Sequence, residues 1–87
     1  MVAPNTPFSP QDVGEYYGVR SHMYISYCQV LDVNEQYITV VSNRNGIVKI
    51  NRDNKNTDFW GPYVVNLSPQ ELLIAQEKIQ EYKAENL

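Results

Sequence analysis

MYISYCQVLDVNEQYITVVSNRNGIVKI, residues 23–50, alternates runs of β-branched and aromatic residues with short polar breaks, and how it pairs with itself decides the fold. Met23 to Val33, Gln36 to Ser42 and Ile47 to Arg52 read as strands. A two-residue turn at Asn34-Glu35 sets Leu31 against Ile38 and Gln29 against Val40. A three-residue loop at Arg44-Asn45-Gly46, with Gly46 in the left-handed bulge position, sets Val40 against Ile50 and Ser42 against Val48. One face then collects Ile25, Tyr27, Leu31, Ile38, Val40, Val48 and Ile50. A two-residue Asn45-Gly46 turn would oppose Val40 to Asn51 and split that apolar set, so the longer loop is preferred.

The opposite face would carry Cys28, Val30, Tyr37, Thr39, Val41, Ile47 and Lys49, which is too apolar to stand fully in water. Its cover is a helix, closure of the sheet, or a partner chain. Downstream, Asp58 to Leu67 (DFWGPYVVNL) reads as a fourth strand interrupted by a turn at Gly61-Pro62, and the polar run 53–58 (DNKNTD) as an exposed loop before it.

Two stretches carry helix-start chemistry. At Leu67-Ser68-Pro69-Gln70-Glu71-Leu72, Ser68 and Glu71 form a capping box, Pro69 suits the first helical position, and Leu67 is spaced to staple onto Leu72. Leu72, Ala75, Ile79 and Tyr82 follow at helical spacing, widened by Leu73, so residues 68–87 are expected as an amphipathic helix. At Phe8-Ser9-Pro10-Gln11-Asp12-Val13 similar syntax predicts a short helix, weakened by Gly14 and ended by Gly18, with Val13, Tyr16 and Tyr17 as packing residues. Residues 1–7, with two prolines and no apolar period, read as an extended lead-in. The expected fold is mainly β within the α+β class: four to five strands as a small antiparallel sheet or an SH3-like or OB-like barrel, with a short N-terminal helix. The sheet core is placed at residues 23–67, within a single domain spanning 1–87.

Composition narrows the function classes. A chain of 87 residues, 43% hydrophobic and 20% charged, has room for one compact core and no second domain. The formal charge of −3 opposes a wholly electrostatic nucleic-acid binder. Residues 20–55 run the other way: Arg20, Arg44, Lys49, Arg52 and Lys55 against Asp32, Glu35 and Asp53, a local balance of +2. The single Cys28 cannot form an intramolecular disulfide, the first residues lack a signal-peptide pattern, and no apolar run approaches the ~20 residues of a membrane span; a cytoplasmic chain without a membrane is expected.

No catalytic constellation stands out. The only histidine, His22, has no neighbouring nucleophile, and Cys28 sits mid-strand, where a free thiol serves as a small hydrophobe. One His and one Cys fall short of zinc-site spacing. Asp53, Asn54, Asn56 and Asp58 superficially match a calcium loop's alternating oxygens, but its sixth-position glycine and closing glutamate are missing, and a solvated loop explains them. No cofactor, metal or enzymatic activity is expected.

Binding remains. Seven tyrosines supply flat apolar bodies with polar tips, suited to half-buried sheets and to contact surfaces alike. The leading expectation is a non-catalytic protein-binding module, an adaptor, inhibitor or small subunit, that presents Tyr37, Thr39, Val41 and Lys49 on the sheet together with Trp60 and Tyr63, with a homodimer as one specific form. The alternative is a single-stranded nucleic-acid binder. There Arg44, Lys49, Arg52 and Lys55 track the backbone while Phe59 and Trp60 stack bases, although such aromatics beside Gly61-Pro62 more often complete a core.

Overall fold

A computed structural model describes residues 8–20, 24–51, 63–65 and 67–86. In chain order these form a 3-10 turn at Pro10–Asp12, strands β1 (Tyr16–Arg20), β2 (Ile25–Val33), β3 (Tyr37–Ser42), β4 (Gly46–Asn51) and β5 (Tyr63–Val65), and helix α1 (Pro69–Asn86). The strands make one antiparallel sheet in the order β4-β3-β2-β1-β5. The architecture is the expected mainly-β, α+β fold in its open-sheet form. Among the described residues β4 and β5 are opposite edges with no ladder between them, because β5 adds outside β1 instead of bridging to β4. The lead-in 1–7, His22, the loop 53–58 and the Gly61-Pro62 turn lie outside the described residues.

The N-terminal expectation is corrected. The helical turn has only three residues, held by the Asp12 N–H donating to the Ser9 carbonyl and the Ser9 N–H donating to Asp12 Oδ2. Gly14, at φ +90°, turns the chain straight into β1, so Tyr16 and Tyr17 are strand residues and the sheet begins at Tyr16 instead of at 23. Gly18 is no helix stop. It pairs with Tyr27 on one side and Val65 on the other, where its bare Cα lets the Leu67, Val65 and Ile25 side chains approach. Strand pairing with β2 and β5 outweighs the local helix signals.

The expected register is corrected at both hairpins. Asn34 Oδ1 accepts the N–H groups of Gln36 and Tyr37, and the Asn34 N–H donates to the Tyr37 carbonyl, so the β2–β3 turn centres on Glu35-Gln36. Val33 then opposes Ile38, and a bulge at Leu31 shifts the ladder so that Val30 opposes Val40 and Gln29 opposes Val41. At the next hairpin Ser42 Oγ accepts the N–H groups of Arg44 and Asn45, closing the loop one residue early: Ser42 opposes Gly46, and Val40 opposes Val48. That slip is even, so Ile38, Val40, Val48 and Ile50 stay on one face. The β2 slip is not. Cys28 and Val30, not Tyr27 and Leu31, share that face and join Phe8, Tyr17 and Val19 in the core, with the rings of Phe8 and Tyr17 5.5 Å apart.

Helix α1 begins as the sequence predicts. Glu71 N–H donates to Ser68 Oγ while Ser68 N–H donates to Glu71 Oε1, a reciprocal cap. The helix packs on β1 and β2 across the face opposite the Phe8 cluster, with Ala75 and Ile79 fully buried and Tyr82 half-buried. The stripe is narrower than expected: Leu73 points largely to solvent, and Leu72 and Ile74 are partly exposed.

Candidate protein-binding face

The helix divides its side of the sheet. Over β1 and β2 it packs on the sheet, with Leu67 just before it against Gly18 and Lys83 Nζ donating to Gln29 Oε1. Near the β3–β4 turn the Tyr82 hydroxyl lies where a Cβ on Gly46 would have to go. On the same side of the sheet, β3 and β4 pair Tyr37 with Asn51, Thr39 with Lys49, and Val41 with Ile47. Alternation along the two strands therefore places these six residues on one face, as the sequence analysis grouped Tyr37, Thr39, Val41, Ile47 and Lys49.

Their exposure differs. Val41 is fully buried although it shares this face, so the face is covered at that position and Val41 offers nothing to a partner. Ile47 is 52% exposed on an edge strand, Tyr37 and Thr39 are half-buried, and Lys49 is exposed. Lys49 Nζ sits 4.8 Å from the centroid of the Tyr37 ring, diagonally across the ladder, a cation on an aromatic face that holds both side chains against the sheet. At the hairpin's other end the Arg44 guanidinium lies 4.0 Å over the ring of Tyr24, itself 48% exposed. The sequence marks Tyr24 only as strand material, because its meeting with Arg44 depends on how the β3–β4 turn folds beside the start of β2.

Of the other expected site residues, Arg52, Lys55, Phe59 and Trp60 lie outside the described residues, as does the Tyr63 side chain. The structure thus brings Tyr37, Thr39 and Lys49 together, and holds Arg44 apart from them at the turn.

Chemistry is sparse on this framework. Cys28 is fully buried at the centre of the sheet, in a row with Tyr17 and Ser42; burial pushes its thiol up to about 12, against the lowering effect of hydrogen bonds from those two neighbours. It stays a protonated thiol at neutral pH and a poor nucleophile. Glu71 is held below its usual carboxylate range, first by the Ser68 backbone N–H, then by the Ser68 hydroxyl, with a smaller pull from Arg20. That is the signature of a helix cap. Among the described residues no three His, Cys, Asp or Glu side chains cluster to hold a metal ion, and no helix is long and apolar enough to cross a membrane. Comparison with protein-family models, with curated proteins and with solved structures finds no match.

Proposed function

We propose that this protein is a non-catalytic protein-binding module of the cytoplasm, an adaptor, inhibitor or small subunit, acting through the β3–β4 strip that α1 leaves uncovered. The observation that supports the reading is the exposed Ile47 on an edge strand beside the Lys49–Tyr37 pair. An edge strand offers unpaired backbone groups to a neighbour, and an aromatic clamped by a cation is a rigid contact with little side-chain entropy left to lose. Trp60 and Tyr63 belong to the proposal from their sequence. A second copy is the simplest partner, which would meet the strip about a two-fold axis.

The test is light scattering coupled to size exclusion, together with affinity capture and mass spectrometry, on wild type, Ile47→Asp and Trp60→Ala. The expected result is a dimer, or a stoichiometric captured protein, that Ile47→Asp abolishes while its thermal melt stays close to wild type. A wild-type monomer that captures nothing overturns the proposal.

A second reading, single-stranded nucleic-acid binding, draws support from the Arg44–Tyr24 pair, a guanidinium on an exposed ring that a base could extend. It requires affinity for oligonucleotides that falls steeply with salt and weakens on Lys49→Glu or Arg52→Glu. Absence of binding at low salt ends it.

A further inference from the structure

We draw no further inference here: the strongest candidate, the exposed apolar surface patch of Leu72, Leu73 and Ile74 at the start of α1, carries nothing because nothing in the structure shows what covers it.

Discussion

The two halves of the helix-bearing sheet face are built from similar residues and end in different states. On the β1–β2 side Gly18, Tyr27 and Gln29 lie along the helix, whose Ala75 and Ile79 are shut away from solvent. On the β3–β4 side Ile47 and Lys49 are exposed, and Tyr37 and Thr39 are half-buried. An 18-residue helix is about 27 Å long but only about 10 Å wide, whereas strands repeat every ~4.8 Å; one helix therefore covers about two strands of a sheet, and five strands leave a remainder. The apolar content of the strip is a consequence of what the helix does not reach.

The comparison is broken most sharply by truncating one isoleucine on each side. Ile79→Ala removes a fully buried side chain, and should cost about 2–5 kcal/mol in a urea titration. Ile47→Ala should cost about 0.5 kcal/mol or less in the monomer, since roughly half of that side chain already meets water. Equal losses would mean that the strip is held by something other than the helix-bearing core. A self-associating protein would show a larger Ile47→Ala loss at high protein concentration than at low, because the bound form is stabilised by mass action.

A smaller effect is expected at Gly18, which sharpens the account of the covered side. A Cβ there would lie 3.0 Å from Leu67 Cδ2 and Val65 Cγ2 and 3.2 Å from Ile25 Cγ2, all on packed side chains. Gly18→Ala should destabilise by about 1–3 kcal/mol through overpacking, despite the gain that alanine ordinarily brings by restricting the unfolded chain. The same change at Gly14, where a Cβ meets nothing within 4 Å, is costly only through its φ of +90°. Thermal melts of the two variants separate crowding from backbone strain. If Gly18→Ala melts at or above wild type, the close approach of Leu67 is not part of the packing.

These sites also show what the sequence could and could not carry. The cap at Ser68 was legible because its partners, Glu71 and the first helical N–H groups, are fixed within one turn by local chemistry. So was the company of Ile38, Val40, Val48 and Ile50, since a slip of two residues preserves alternation. Strand β1 was not. Pro10, Gly14 and Gly18 are local punctuation, while the pairing of Tyr17 with Cys28 and of Gly18 with Val65 is non-local and leaves no period in the sequence. The bulge at Leu31 was equally hidden: one inserted residue exchanges the faces of Cys28 and Tyr27, and no residue type announces it. For the site, Tyr37, Thr39 and Lys49 followed from alternation alone. The burial of Val41 did not, because it depends on packing around the sheet that alternation along a strand does not report.

The smallest expected effect lies at the cap that starts the covering helix. Ser68→Ala removes the hydroxyl that accepts the Glu71 N–H and should cost about 1 kcal/mol, a fraction of the Ile79→Ala loss. Glu71→Gln is finer still, keeping an acceptor for the Ser68 N–H while discarding the charge. Because folding lowers the Glu71 pKa, the native state favours the carboxylate. The stabilisation this gives is fully present above the unfolded value of about 4.3 and fades as pH falls through the lower folded value. Wild type should therefore exceed Glu71→Gln in stability at pH 7, with the gap closing on acidification below about pH 4. In denaturant titrations across that range, a gap that stays constant with pH would mean that the Ser68 hydrogen bonds do not favour the charged carboxylate over the neutral acid. A gap that closes is the expected result, because the Ser68 N–H and hydroxyl bind the charged carboxylate more strongly than the neutral acid. Either way the change falls on the helix that covers β1 and β2, so the β3–β4 strip should keep its partner affinity in both variants at pH 7.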